Sequence, residues 1–153
     1  EVSMAIILAA LTRSFLIAVI SICVFSLIVE MPISNILFIF IFGFLSAFIL
    51  GSLGFITGLW AEKFDHTATV TNFIITPLSF LSGVFYSIDK LPKFFQTISH
   101  INPFFYMIDG FRYGFLGKSD GSISIGLVYL TILSIIMWYV AFYLYKKGYK
   151  IKS

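Results

Sequence analysis

The charged residues Asp109 and Arg112 lie three positions apart in an otherwise apolar segment, HINPFFYMIDGFRYGFLG, residues 100–117. On a helix such residues are neighbours, so this acid and this base can pair or share partners along one stripe. In open water the pair would contribute about 0 to 1 kcal/mol. At the centre of a membrane an unpaired charge costs roughly 2.5 to 3.5 kcal/mol, so we expect the two charges to hold this segment near a membrane boundary, where they find water or polar partners.

The composition indicates that the surroundings are a membrane. Hydrophobic residues make up 59% of the 153 residues and charged residues only 11%, against about 25% in a soluble protein. Mean hydropathy is +1.03. The net charge of +3 is concentrated at the C-terminus, in Lys146, Lys147, Lys150 and Lys152. A basic tail after an apolar run indicates a cytoplasmic membrane surface and argues against nucleic acid as a partner.

Four apolar segments predict transmembrane helices, because a helix needs about 20 apolar residues to cross about 30 Å of hydrocarbon. They lie at about residues 5–29, 35–60, 67–88 and 121–145. None alternates polar and apolar residues as the strands of a membrane barrel do. We therefore expect one all-α transmembrane domain over residues 1–153, a multi-pass integral membrane protein in contact with lipid. Residues 89–120 would form an external re-entrant or interfacial segment before the last span.

The basic tail also predicts the orientation. With the C-terminus in the cytoplasm, the last span begins outside, so the loop AEKFDH at 61–66 is cytoplasmic and Glu30 is external. Arg13 then lies on the cytoplasmic side, where basic residues are in excess. Within the third span, Pro77 is expected to produce a kink because it lacks an amide hydrogen.

Small and polar residues recur at helical spacing on the two middle spans. On the second, Gly43, Ala47, Gly51, Gly54 and Gly58 stay within an arc of about 80°. Such a face lets membrane helices approach closely, which favours a packing surface over a pore lining. On the third span, Thr69, Asn72, Thr76 and Ser79 share a similar arc. This polar face predicts either hydrogen bonds between helices or a surface that faces the substrate or a second subunit, and both interpretations stay open.

Within the external segment, Asn102 and Pro103 predict the start of a helix and Gly117 its end. A helix over 103–116 would be about 21 Å long, which is too short to span, so it must dip into the membrane or lie flat on it. Its apolar stripe would consist of Phe104, Ile108, Phe111 and Phe115. Two roles are compatible with the sequence: an outer gate with this stripe as a hydrophobic plug, or a helix that a salt bridge merely anchors.

Three stretches resemble a known family: FIITPLSFLSGVFYSIDKLP at 73–92, INPFFYMIDGFRYGFLG at 101–117, and the last span with its KKGYKIK tail. They are similar to the C-terminal part of the permease of a type-2 ATP-binding cassette (ABC) exporter. The Asn-Pro pair followed by Gly-Phe-Arg-Tyr-Gly is fairly specific. The resemblance implies a six-span subunit of the inner membrane that forms the substrate pathway and works with a separate ATPase. It also implies that the subunit dimerises, and we expect a homodimer. Only four spans are visible and the chain starts at Glu1, so we expect the first two spans to be missing.

The resemblance further implies that the cytoplasmic loop receives the motion of the ATPase. This singles out Glu62, Lys63 and Asp65 as contact residues, although charges that flank a span are commonly only solvated at the headgroup level. The outer gate or re-entrant helix would comprise Asn102, Pro103, Phe104, Asp109, Phe111 and Arg112.

No pattern in the sequence indicates an enzyme. The phosphate-binding pattern Gly-x-x-x-x-Gly-Lys-Ser/Thr is absent, so ATP and magnesium are expected in the partner ATPase. His66 and His100 have no cysteine or carboxylate at metal-ligand spacing, so no metal site and no catalytic residue is predicted. The predicted function is therefore that of an exporter permease, with a non-transporting membrane scaffold or assembly factor as the alternative.

Overall fold

The computed structural model describes residues 2–30, 32–61, 64–85 and 92–147. This part of the chain is helical and contains no strand, which confirms the all-α class. In chain order the elements are α1 (Val2–Ser26), α2 (Ile36–Trp60), α3 (Phe64–Val70), a π-helical turn (Thr71–Ile75), α4 (Thr76–Phe80), α5 (Lys93–Ile101), α6 (Pro103–Leu116) and α7 (Ile123–Lys146).

Three helices in the described part are long and apolar enough to cross a membrane: Met4–Ser26, Ile36–Trp60 and Ile123–Lys146. They correspond to the first, second and last predicted spans. The predicted third span, 67–88, is helical only as far as Phe80, in pieces of 7, 5 and 5 residues, and its last three residues lie outside the described ranges. At 1.5 Å per residue these pieces reach about 25 Å together, so the count of four spans is not confirmed.

The interruption of this third segment has a local cause. Pro77 has no amide hydrogen, so the carbonyl group four residues before it loses its helical donor. Just before the proline the helix widens into the π-helical turn, where the amide of Thr76 donates to the carbonyl of Thr71. The Thr76 hydroxyl donates to the same carbonyl at 2.9 Å. The structure therefore has a π-helical turn just before Pro77, where the sequence predicts a kink.

The core lies where α2, α6 and α7 meet. Its buried side chains are Phe42 and Ile49 from α2, Phe105, Tyr106 and Met107 from α6, and Leu130 from α7. The third segment contributes nothing to this cluster, since no residue of the π-helical turn or of α4 is buried. Because lipid is as apolar as leucine, close packing and polar contacts must hold such helices together.

Candidate functional site

The site is built on α6, whose ends have the sequence signals described above. The Asn102 side-chain oxygen accepts a hydrogen bond from the Phe104 amide at 3.0 Å, and Pro103 occupies the first turn. At the other end Gly117 has a φ of 68°, a conformation that glycine adopts without a steric penalty. The helix therefore has the predicted bounds.

Protein encloses α6 between α2 and α7. Phe105 is 1% exposed and faces this interior. Two glycines permit the close approach to α2: a Cβ added at Gly110 would overlap the ring of Phe42, and one at Gly114 would lie 2.5 Å from the Ile39 side chain. Any other residue at these positions would force the helices apart. These contacts show that α6 packs against α2 and α7; its position relative to the membrane stays a prediction.

The end of α6 is also joined to the start of α2 through the backbone. The Ser34 amide donates to the carbonyls of Gly114 and Phe115, both at 3.1 Å, and the Asn35 amide donates to that of Gly114 at 2.8 Å. The last carbonyls of one helix and the first amides of another normally lack helical partners. Here the amides before α2 and the carbonyls at the end of α6 form hydrogen bonds with each other, which hold the two helix ends together.

Asp109 is buried in the interior face of α6, at 2% exposed. Its two carboxylate oxygens accept hydrogen bonds from the backbone amides of Asp120 at 2.7 Å and Gly121 at 3.0 Å. These amides precede the start of α7, where the helix dipole favours a negative charge. The nearest Arg112 nitrogen is 3.8 Å away. The closest partners of Asp109 are therefore backbone amides of the connection to α7.

Arg112 uses its guanidinium group to join two other segments. Nη1 donates to the Asp120 carboxylate at 2.6 Å, and Nη2 donates to the Gly83 carbonyl at 2.6 Å. The side chains of Arg112 and Asp120 are 23% and 20% exposed. Gly83 has a φ of 78° and turns the chain after the third segment. We call Asp109, Arg112 and Asp120 the charged cluster; it ties α6 to α7 and to the end of the third segment.

Two side chains near the junction of α5 and α6 bind carbonyls at the end of α4. The Asn102 amide group donates to the Leu78 carbonyl at 2.6 Å, and the Ser99 hydroxyl donates to the Leu81 carbonyl at 2.8 Å. The last carbonyls of a helix have no partner within it. Asn102 thus connects the C-terminal end of α4 to the N-terminal end of α6 through one buried side chain, which is 3% exposed.

The predicted apolar stripe of α6 is partly exposed along its whole length, at Phe104, Ile108, Phe111 and Phe115. On the stripe that carries the charges, Phe105 and Asp109 are buried, whereas Arg112 is partly exposed and Leu116 is exposed. Phe111 extends toward α2, where a Cβ added at Gly43 would lie 3.2 Å from its ring.

The other residues singled out in the sequence are placed apart from this cluster. On the third segment, Thr69, Asn72 and Thr76 are exposed and Ser79 is partly buried. The three hydroxyls of this face donate to carbonyls of their own segment, those of Asp65, Thr71 and Ile75. Within the described part of the chain this polar face therefore makes no hydrogen bond to another helix through these hydroxyls.

The small-residue face of α2 meets neighbours at some positions and not at others. Besides Gly43, a Cβ at Gly51 would lie 3.2 Å from Ala10 of α1, whereas Gly54 and Gly58 have open space around them. Ala47 is partly buried.

The residues proposed to contact the ATPase are only partly described. Glu62 and Lys63 lie outside the described ranges. Asp65 is exposed in the first turn of α3.

Sequence reasoning missed Asp120 and Ser99 as members of the site. Asp120 belongs to the polar stretch KSDGS at 118–122, which has the composition of a loop. The sequence feature that could have indicated Asp120 is its position as a second acid, shortly before the start of α7. Ser99 lies on the polar side of a short amphipathic helix, a position that ordinarily faces water.

Comparison with known proteins identifies the family. The ABC-2 type transporter family model matches residues 1–116. The inner membrane transport permease YadH of Escherichia coli strain K12 is 38% identical over 109 residues, which cover 71% of this chain and 43% of YadH. Nodulation protein J of Sinorhizobium fredii strain NGR234 is 27% identical over 97 residues, 63% of this chain and 37% of that protein. Nodulation protein J of Rhizobium leguminosarum bv. viciae is 30% identical over 90 residues, 59% and 35% respectively.

No solved structure matches the chain. The chain spans about two fifths of the length of these curated relatives, 43%, 37% and 35%. The family match runs from α1 through the whole of α6, including Asn102, Asp109 and Arg112, and ends before Asp120. This match shows that the chain belongs to the ABC-2 type transporter family, and its three apolar helices of membrane-spanning length agree with that assignment.

Proposed function

We propose that this chain acts in the permease subunit of an ABC exporter of the inner membrane, where it forms part of the substrate pathway. A separate ATPase, which binds ATP and magnesium, drives the transport. The observation that carries this proposal is the family match over residues 1–116. The YadH relative is named an inner membrane transport permease, which supports the location. The sequence has no phosphate-binding loop of its own, so the hydrolysis is assigned to the partner.

We propose further that both ends of the chain lie in the cytoplasm and that the third segment crosses the membrane. The basic residues Lys146 and Lys147 at the end of α7 support this orientation. The charged cluster lies at the opposite end of α7, beside its first turn. In this orientation α6 occupies the outer end of the pathway, and Asp65 lies on the cytoplasmic side, where Glu62, Lys63 and Asp65 contact the ATPase.

The polar face of the third segment is the proposed pathway or dimer surface. Its residues Thr69, Asn72 and Thr76 are exposed, and a polar face on a membrane helix is costly unless it meets a pore, a substrate or another subunit. A second copy of the permease, in a homodimer, would cover it.

For α6 the contacts support a division of roles between anchor and gate. Asp109 is buried and held by two backbone amides, so it fixes the helix in place. Arg112 and Asp120 are partly exposed and bonded through side chains, so this pair can separate when the outer end opens. Asp109 is thus the anchor, and the Arg112 and Asp120 pair is the part that gates.

Reconstitution of the permease with its ATPase in liposomes tests the transport function. We expect the two proteins to purify together and the rate of ATP hydrolysis to rise above that of the ATPase alone. The Lys63→Glu variant should insert normally and lower this stimulation, with Lys118→Glu on the opposite side as the matched control. Co-purification without any stimulation would instead favour the scaffold function.

A further inference from the structure

The helix α5 exposes apolar side chains as well as the polar residues Lys93, Thr97 and His100. Phe94 and Ile101 are 71% and 67% exposed. The polar residue Ser99, in contrast, is buried and bonded to the end of the third segment. An amphipathic helix on a wet surface turns its polar side outward and its apolar side toward the core. The exposure of Phe94 and Ile101 departs from this pattern, and it is expected where that side of the helix meets hydrocarbon.

The two hydroxyl groups of α5, those of Thr97 and Ser99, both donate to backbone carbonyls. The Thr97 hydroxyl is exposed but donates to the Lys93 carbonyl in the preceding turn, at 3.1 Å. Such bonds to the helix's own backbone satisfy a hydroxyl in an apolar environment. The His100 ring lies edge-on to Phe105, with the centroids 5.3 Å apart, about 100° around the helix from Ile101. The side that carries Phe94 and Ile101 is therefore free of unsatisfied polar groups.

A contact with α7 indicates the depth of α5. The Tyr129 hydroxyl donates to the Ile101 carbonyl at 2.7 Å. Tyr129 lies six residues after Ile123, the first residue of α7, which corresponds to about 9 Å along the span. On the same stretch, α7 exposes the apolar side chains of Ile125, Val128 and Ile132. The exposed Ile101 thus lies beside the part of α7 that faces hydrocarbon.

The length of α5 fits this depth. From Ile101 to Lys93 the helix covers about 12 Å, which is enough to bring the exposed Lys93 from the level of Tyr129 back to the start of α7. A lysine at that level can meet lipid phosphate groups while the helix below it is surrounded by acyl chains.

We propose that the exposed side of α5, formed by Phe94, Phe95 and Ile101, is a lipid-binding surface. It contacts the acyl chains of the leaflet at the N-terminal end of α7, with Lys93 at the headgroups, and it continues the lipid-facing surface of α7. The two helices of the re-entrant segment then have different surroundings, lipid around α5 and protein around α6. The inference rests on the membrane placement of α7 and does not depend on export driven by an ATPase.

Nitroxide labelling can test this surface. Single cysteines replace Ile101 or Phe94 in a Cys23→Ser background, and the labelled permease is reconstituted in vesicles of phosphatidylethanolamine and phosphatidylglycerol. Collision rates are measured with oxygen, which concentrates in hydrocarbon, and with a water-soluble nickel chelate. Three control positions calibrate the scale: Ile132 for lipid, Ser119 for water and Ser46 for the protein interior. These are respectively exposed on α7, exposed in the connection after α6, and buried on α2.

We expect a label at Ile101 to match the one at Ile132, with frequent oxygen collisions and few nickel collisions. A label at Phe94, closer to Lys93, should show a lower ratio of oxygen to nickel collisions than the label at Ile101. Nickel collisions at Ile101 as frequent as those at Ser119 would show that water covers α5 and would overturn the proposal. Infrequent collisions with both reagents, as at Ser46, would show a protein partner such as a second copy of the chain and would overturn it equally. The ATPase measurement above is independent of either result.

Discussion

Arg112 donates a hydrogen bond to Asp120 at 2.6 Å, whereas its nearest nitrogen lies 3.8 Å from Asp109. The spacing in the sequence had indicated Asp109 as the partner. The two acids have different environments. Asp120 is partly exposed, whereas Asp109 is buried and bonded to two backbone amides. Arg112 therefore has one partner that can be reached by water and one neighbour that is fixed in the protein.

This geometry predicts which charge exchange the protein tolerates. Asp109→Arg combined with Arg112→Asp should not restore stability, because an arginine at position 109 would place donors against the amides of residues 120 and 121. Arg112→Asp combined with Asp120→Arg should restore part of the stability lost in Arg112→Asp alone. The measurements are the yield of monodisperse protein and the midpoint of thermal unfolding. Better rescue by the first exchange than by the second would contradict the structure.

The Asp109→Asn variant should lower the stability by about 1.5 to 3 kcal/mol, since its hydrogen bonds are made by a charged acceptor in a buried place. Asp120→Asn is the matched control: its side chain is partly exposed and keeps an oxygen for Arg112, so the loss should be smaller. Thermal unfolding in detergent measures both. Equal losses would show that burial of Asp109 does not matter.

A substitution can separate the two functions of Asn102, the cap of α6 and the link to α4. In the native protein the Asn102 side-chain nitrogen lies 2.6 Å from the Leu78 carbonyl oxygen. Asn102→Asp keeps an acceptor for the Phe104 amide but places a second oxygen against that carbonyl. We expect it to be destabilised by about 1 to 3 kcal/mol, as when a buried group loses its partner, although aspartate is a good cap. Wild-type stability of this variant would mean that only the helix cap matters and that the link to α4 does not.

The close approach of α6 to α2 depends on Gly110. Gly110→Ala should cost about 1 to 3 kcal/mol by overpacking, because its Cβ would overlap the ring of Phe42. Adding Phe42→Ala should relieve the overlap, so the double variant should lose less than the sum of the single variants. Gly54→Ala, with open space around the position, is the control. Additive losses in the double variant would place the two residues out of contact.

The proposed orientation can be measured by labelling. Single cysteines at Ser119 and Ser153, in a Cys23→Ser background because Cys23 is exposed, should react with an impermeant thiol reagent only from outside and only from inside, respectively. The positive-inside rule is the physical reason, applied to the lysines at the end of α7. The opposite pattern of labelling would invert the topology.

The sequence by itself determined the features that depend on neighbours along the chain. Long apolar runs specify spanning helices because backbone groups in lipid must bond within their own segment. Asn102, Pro103 and Gly117 specify the ends of α6 because capping is local. The sequence also indicated the family, through the Asn-Pro pair and the Gly-Phe-Arg-Tyr-Gly run within residues 101–117. The third segment shows the limit of this reasoning. An apolar run to residue 88 predicted a long span, whereas the described helix ends at Phe80, shortly before Gly83 with its positive φ.

Only the tertiary structure decided which groups meet. Asp109 binds backbone amides at residues 120 and 121, and a backbone amide has no side chain by which a sequence pattern could reveal it. The burial of α6 depends on Gly110 facing Phe42 from a distant helix, and the position of Ser99 depends on where the end of the third segment presents its free carbonyls. A helix cap is set by residues within one turn, whereas these contacts are set by the relative placement of whole helices, for which the spacing of residues within one helix carries no information.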